Sequence, residues 1–407
     1  MGDFNQSVIL EAIRRSVAGL SRIELAQVTG LSAQAVTNIT RRLMQLGLVV
    51  EAGRTITGPG KPRTILKLDA SRRFAVGVHL DPAVMTFVVL DLAGELVSQA
   101  HVHTPVGSAT HIIEAIASGI EAVITESGID RARVAGVGVA SPGPIDAALA
   151  TIVDPPKLLG WHRVPLKQAL SDASGLPVHL EKDTTAAAVA ELWRETEHAN
   201  SSFVFVYLGT GIGAGFAMQY EVIRGSSHNA GEIGHIVVDR DGPPCACGQR
   251  GCLDVVCTPQ AMVEKAERLG VLQDSRVGSD AESVDERFRE LCARSHDGDT
   301  RALAVLEDSA AQLSVAIAVL TNMLDVDRVI FGGPYWTLLS EAYMRIIPAR
   351  IYAQSATRAL RSVPVSGAIS GEDVAAIGAA CVVLDEVYSP RASTLYLDDA
   401  VPEDANG

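Results

Sequence analysis

Apolar positions in the first fifty residues recur at helical spacing. Val36, Ile39, Leu43 and Leu46 fall three and four apart, which lays one buried stripe along a helix and turns Gln34, Thr37, Asn38, Arg41 and Arg42 outward. Residues 5–50 read as three helices, and residues 51–69 as a β-ribbon. From Phe74 the period changes to short Val- and Ile-rich runs, predicting strands at Phe74–His79, Thr86–Asp91, Val134–Val139, Val178–Leu180, Phe203–Leu208, Gly213–Met218 and Val329–Phe331 with helices between many of them. The pattern is that of an α/β body behind a helical head, with the boundary near residue 72. Residues 271–300, rich in Asp, Glu, Ser and Gly around an amphipathic piece at Val284–Leu291, read as a solvent-facing excursion, and residues 389–407 as a loose tail without a sustained period.

The head has the layout of a helix-turn-helix. Two short helices meet at Gly30, and Ser32 is placed to cap the second. On that helix Gln34, Thr37 and Asn38 are the candidate base readers, because Gln and Asn can bond adenine edges bidentately, while Arg41 and Arg42 suit phosphates. The run Gly58-Pro-Gly-Lys-Pro-Arg63 lies between two short strand candidates, so Lys61 and Arg63 become the contacts of a basic wing. Taken alone, the net charge of −14 argues against a nucleic-acid partner. Its distribution reverses that argument, since residues 1–73 carry 11 Lys or Arg against 5 Asp or Glu and the remainder carries 23 against 43. Double-stranded operator DNA is the expected partner.

Four of the six cysteines crowd into residues 245–257. That clustering points to metal in place of a disulfide framework. His235, Cys245, Cys247 and Cys252 form a complete tetrahedral set for structural zinc, Zn2+, with glycines bending the chain between the thiols and no position left for an activated water. Cys257 has no glycine turn beside it and is assigned to packing. Charges interrupt the first apolar stretch, and no apolar run reaches membrane-spanning length, so a cytoplasmic location without a membrane partner is expected.

Two glycine-rich stretches complete the pattern: Gly136–Asp146 ends a strand in a loop that a ligand could approach closely, and Leu208–Gly215 joins two strands through a turn where amides and the Thr210 hydroxyl could cradle phosphate. Together with Ala230-Gly-Glu-Ile-Gly-His235, the Cys-x-Cys-Gly-x-x-Gly-Cys knuckle, Ser141-Pro-Gly-Pro144 and Glu181-Lys-Asp-Thr-Thr-Ala-Ala-Ala188, they resemble the ROK family of repressors, open reading frames and sugar kinases from about Asn5 to Leu384. Ser21-Arg22 and Gly60-Lys-Pro-Arg63 resemble its repressor branch, including the xylose and N-acetylglucosamine repressors.

The resemblance implies a two-lobed actin/hexokinase-like fold behind a winged helix-turn-helix. It divides the chain into residues 1–72 for the reader, 73–190 for a first lobe completed by a helix at 370–388, and 191–369 for a second lobe with the zinc knuckle. It also implies a homodimer or homotetramer and a sugar cleft formed by Gly143, Lys182, Asp183, Glu232, His235 and Asp254, in which Asp183 occupies the place of the kinases' general base. Two departures stand out. His79-Leu-Asp-Pro-Ala83 replaces the kinases' phosphate-binding Asp-x-Gly-Gly-Thr, with no amide hydrogen at Pro82 and a repelling charge at Asp81. Lys182 replaces the Asn that normally precedes the catalytic acid. The expectation is a DNA-binding repressor of carbohydrate genes, released by a sugar or sugar-phosphate effector and without kinase activity, with Asp183 a vestigial base. A bifunctional ATP-dependent sugar kinase, or a regulator controlled by a protein partner, are the alternatives.

Overall fold

A computed structural model describes residues 2–55, 62–155, 158, 160–195, 202–273 and 281–388. The chain opens with α1 (Gly2–Arg15), β1 (Leu20–Ser21), α2 (Arg22–Thr29), α3 (Ala33–Gln45), β2 (Val49–Thr55) and β3 (Arg63–Leu68). Ser21 starts α2 through a capping box, its Oγ accepting from the Glu24 amide while the Glu24 carboxylate accepts from the Ser21 amide. Ser32 caps α3 by accepting from the Ala35 amide at 3.2 Å. The three helices bury Ile9, Ile13, Leu25, Val36 and Leu43 against a small sheet of order β1-β3-β2, which is a winged helix-turn-helix arrangement. One expected stripe residue is misplaced: Leu46, at the C-cap of α3, is 46% exposed. Thr40 takes the buried position, and its hydroxyl is satisfied by donating to the Val36 carbonyl at 2.8 Å.

The first lobe comprises β4 (Phe74–Leu80), β5 (Val84–Asp91), β6 (Leu96–His103), α4 (Ala109–Ser127), β7 (Val134–Ser141), the hairpin β8 (Ile145–Asp146) and β9 (Thr151–Ile152), α5 (Leu166–Ser174) and β10 (Val178–Lys182). After α6 (Asp183–Arg194) the second lobe follows with β11 (Phe203–Leu208), β12 (Ile212–Met218), β13 (Glu221–Val222), α7 (Leu253–Val256), α8 (Pro259–Arg268), α9 (Ala281–His296), α10 (Thr300–Leu324), β14 (Arg328–Gly332), α11 (Trp336–Gln354) and β15 (Val365–Gly367). The chain then returns to the first lobe as α12 (Val374–Tyr388).

The two sheets share one plan. Their orders are β6-β5-β4-β7-β10 and β13-β12-β11-β14-β15, each with three antiparallel strands at one side and parallel pairing at the other. Strands β4 and β11 lie central in their sheets and read as continuous apolar runs because both faces are buried. Helices α6 and α12 lie together between the sheets. Gly378 makes their contact possible, since a Cβ there would stand 1.9 Å from the Ala186 carbonyl oxygen.

The stretch expected to be a solvent-facing excursion is instead largely a core helix. Phe288, Leu291 and Cys292 of α9 are buried against α8 and α10. Of the described helices, α10 is long and apolar enough by composition to cross a membrane; it buries Leu306, Leu313, Ile317 and Leu320 in the second-lobe core, where a long core helix has the same composition.

Candidate functional site: an interlobe cleft, a Cys/His knuckle and a winged reader

The cleft floor forms where β10 ends and α6 begins. The parallel register sets Lys182 beside Ser141, so the Ser141-Pro-Gly-Pro144 loop and the first turn of α6 leave their strands side by side. Asn229, not singled out from sequence, ties the opposite lobe to this loop: its Oδ1 accepts from the Ile145 amide at 2.7 Å, and its Nδ2 donates to the Ile145 carbonyl at 2.8 Å. Gly143 lies in the same gap. A Cβ there would approach Glu232 Oε1 to 3.2 Å, Asn229 Oδ1 to 3.3 Å and Lys182 Cε to 3.6 Å. The structure thus brings together Gly143, Lys182 and Glu232, with Lys182 Nζ 2.6 Å from Glu232 Oε1.

Asp183 is the first residue of α6, and its Oδ1 accepts from the Thr184 amide at 2.6 Å. Burial pushes its carboxyl up to about 7, against the pull of Lys182 and the Thr184 amide and with Glu232 and Asp81 adding to the rise. The folded carboxyl therefore keeps its proton to higher pH than the unfolded one, and stability falls as pH rises from about 4 to about 7 and stays lower above that window. Asp183→Asn removes this loss. Its gain in thermal midpoint over the parent is expected to be larger at about pH 8 than at about pH 5; equal gains in melts at both would refute the assignment.

Next to the end of β4 stands His79, which burial holds toward its neutral form and whose Nε2 lies 3.4 Å from the Tyr207 hydroxyl of the second lobe. Two residues on, Asp81 Oδ1 accepts from the Ala83 amide at 2.8 Å, while Oδ2 accepts from the Thr210 hydroxyl at 3.4 Å. A carboxylate of the chain itself thus links the Asp81–Ala83 loop to the glycine turn that carries Thr210.

The segment carrying Glu232 continues into the knuckle. Leu253 and Asp254 donate their amides to the Ile236 and Gly234 carbonyls, and Val238 and Asp239 donate to Gly251. Gly251 closes the turn with φ +66°, where a Cβ would lie 1.4 Å from the Asp239 carbonyl oxygen. One ligand atom from each of His235, Cys245, Cys247 and Cys252 lies within 4.8 Å of all the others, with Cys245 Sγ 3.5 Å from His235 Nδ1 and Cys247 Sγ 3.6 Å from Cys252 Sγ. A tetrahedron with ~2.3 Å metal–sulfur bonds has edges of about 3.8 Å. The four side chains fit a metal ion. Cys257 stands apart, buried and donating to the Ser309 carbonyl at 3.6 Å. Asp254 lies beneath Gly234, whose Cβ would meet its Oδ1 at 2.5 Å, so the knuckle and the Glu232 segment share a support.

On the reader, Gln34, Asn38, Arg41 and Arg42 are exposed and Thr37 is half-buried along α3. Gln34 Nε2 donates to Asn38 Oδ1 at 3.4 Å. Arg22, at the start of α2, reaches Thr40 and Met44 and lines a groove of about 390 Å³ with Thr37, Arg41, Met44 and Gln45. Its helix-start position was the available signal. Arg63 begins β3 opposite Thr55; Lys61 and the tip before it lie outside the described residues.

Reader and body meet through α1. Arg14 Nη1 donates to the Trp193 carbonyl at 2.7 Å, its guanidinium lies 3.9 Å from the Trp193 ring centroid, and the Glu11 carboxylate holds it from the other side. Arg15 covers Tyr220 at 4.1 Å. Trp193 is near the end of the helix that begins with Asp183, so one 12-residue rod joins the cleft floor to the reader. Nothing in local sequence pattern marks Arg14 for this contact.

A winged reader ahead of two like-built lobes, with a cleft beside a Cys/His knuckle, defines an actin/hexokinase-like body of the sugar-kinase type coupled to a helix-turn-helix. The chain belongs to the ROK family, whose family model matches residues 75–386. It is 22% identical to the xylose repressor of Bacillus subtilis (strain 168) over 384 residues, 94% of this chain and 95% of that protein. It is 27% identical to a glucokinase of Halalkalibacterium halodurans over 323 residues, 78% of this chain and 97% of that enzyme. A crystal structure of a ROK family transcriptional regulator, a homolog of the E. coli MLC protein, superposes with a TM-score of 0.78 at 23% identity, covering 95% of this chain and 96% of that one. Both regulators and kinases are thus among its relatives.

Proposed function

We propose that this protein is a sugar-responsive transcriptional repressor that binds operator DNA as a homodimer or homotetramer and leaves it when a sugar derivative closes the interlobe cleft. The observation that carries the reading is α6, with Asp183 at the cleft and the Trp193 carbonyl in the grip of Arg14. Closure that turns α6 against the sheets moves the point on which the reader rests. A sugar shifts the equilibrium only as far as it binds the released form more tightly than the DNA-bound form. Likeness over nearly the full length to a protein named a xylose repressor supports the regulatory role and makes xylose one of the sugars to try.

In this reading Gln34, Thr37 and Asn38 contact base edges, and Arg41, Arg42, Arg63 and Lys61 contact phosphates, with Ser32 fixing the start of α3. Zinc is the ion proposed for the knuckle, held by His235, Cys245, Cys247 and Cys252; it neutralises the crowded thiolates and locks the segment that presents Glu232. Phosphoryl transfer is not part of the proposal, since Asp81 bridges the loops that would hold a nucleotide's phosphates and Pro82 supplies no amide there. Gel shifts on the upstream operator region with and without xylose, glucose and their acid and phosphate derivatives test the reading. Retention of DNA in the presence of every sugar would overturn it, and sugar-dependent ATP consumption that Asp183→Asn abolishes would restore the kinase alternative. Within the reader, Gln34→Ala and Asn38→Ala are each expected to weaken specific binding by roughly 5- to 150-fold, corresponding to about 1–3 kcal/mol. Unchanged specific affinity in both would place the reading face elsewhere.

A further inference from the structure

The Lys182–Glu232 pair is lopsided. The lysine side chain is 3% exposed and the glutamate 60%. A buried ammonium must keep an anionic or strongly polar partner, because stranding it away from water costs far more than breaking a surface pair. Glu232 can return to solvent with little loss; Lys182 cannot. The ammonium has three hydrogens to donate. Glu232 Oε1 at 2.6 Å and the Ala230 carbonyl at 3.3 Å take two of them, and the third has no acceptor among the described residues. The same end of the side chain lies against the Gly143 loop, in the gap between the lobes.

Resting on the sugar-responsive reading above, we infer that Lys182 makes the cleft selective for a sugar carrying a negative group, a carboxylate or a phosphate, which takes over the ammonium as Glu232 swings away into water. The surroundings suit such an exchange. Lys182 is the N-cap of α6, so its side chain leaves the backbone at the positive end of a helix dipole. Asp183, the second carboxyl of the floor, is raised to about 7 by burial, which favours its neutral form and lowers its repulsion of an anion. With asparagine in place of Lys182, an incoming acid would face Glu232 and Asp183 without the buried ammonium to meet it.

Isothermal titration of the full-length protein against paired probes tests this: glucose against glucuronate and glucose 6-phosphate, and xylose against xylonate, with inorganic phosphate alone to separate recognition of the anion from recognition of an anionic sugar. The acid or phosphate member of a pair is expected to bind at least tenfold more tightly than its neutral partner. Which member binds distinguishes a sugar acid from a sugar phosphate. Lys182→Asn should erase that preference. Glu232→Gln, which leaves the ammonium in place and removes its competing anion, should raise the ratio of acid to neutral-sugar affinity severalfold even where the loss of Glu232 weakens both, whereas an ion pair serving only the fold would leave that ratio unchanged in both variants. Neutral sugars that bind as tightly as their acids, or an acid preference that survives Lys182→Asn, would overturn the selectivity while leaving the sugar-responsive reading intact. Silence of every probe, with no release of DNA, would remove both.

Discussion

Cys252→Ser is expected to empty the knuckle of metal and to lower the thermal midpoint of the body by on the order of 10 °C. Cys252 is fully buried, and it stands at the N-cap of α7 with its neighbours Gly251, Leu253 and Asp254 hydrogen-bonded to the run from Gly234 to Asp239. Burial and the adjoining Cys247 and Cys245 thiols push its own thiol up to about 12, so without a cation the cluster resists ionising together. A divalent ion reverses that balance, and losing it leaves the remaining thiols and His235 without a common centre. The loss should spread to the cleft, because Asp254 and the Gly234 backbone that it supports stand between knuckle and Glu232. Metal content by atomic absorption, followed by melting curves with and without a chelator, checks both parts. One equivalent of metal retained in the variant, or a parent protein indifferent to chelation, would contradict the role given to these residues.

Arg14→Ala is expected to uncouple the reader from the body while leaving each folded. The Arg14 side chain is 9% exposed, pairs with Glu11 and donates to the Trp193 carbonyl, so alanine leaves a buried carboxylate with Arg15 alone and a backbone oxygen without its donor. Because Arg15 still pairs with Glu11, the loss stays below the penalty of a stranded buried charge, at about 1.5–3 kcal/mol, with a further ~0.5–2 kcal/mol for the stacked guanidinium. Lysine should not rescue the contact, since it lacks the planar fork that reaches Glu11 and Trp193 together. Hydrogen exchange should rise in α1 and at the end of α6 and stay unchanged in β4 and β11. In gel shifts the variant should bind operator DNA yet respond weakly to a sugar that releases the parent. A variant that is released as readily as the parent would show that the signal travels by another route.

How much of this was legible beforehand depends on how local each feature is. The reader was readable because helix periodicity, caps and charge all lie within a few dozen residues, and even there the exchange of Leu46 for Thr40 shows that a stripe read by spacing alone cannot tell a buried hydroxyl that bonds its own helix from an apolar residue past the helix end. Strand β6 escaped notice because it lies at a sheet edge, where Ser98, Gln99, His101 and His103 leave no clean alternation. The burial of α9 was hidden by its charged outer face, since Phe288, Leu291 and Cys292 are a minority of its residues. In the cleft, the identity of Lys182 was conspicuous, but its pairing with Glu232, the Asn229 bridge to Ile145 and the contact of Asp81 with Thr210 join residues from 50 to 129 positions apart. No periodicity encodes such distances; only the packing of two lobes around α6 and α12 produces them.

The placement of α12 gives this protein an order of assembly. It is the last described helix, yet it packs against the earliest strands of the body and against α6. The reader is complete once Leu68 has left the ribosome, some 306 residues before α12 begins. At about 5–20 residues per second, the head can fold tens of seconds before the two-lobed body closes its own core. During that interval the nascent chain displays a finished α3 face with no closed body behind it, which under the proposed function is an operator-binding surface that no sugar can yet address.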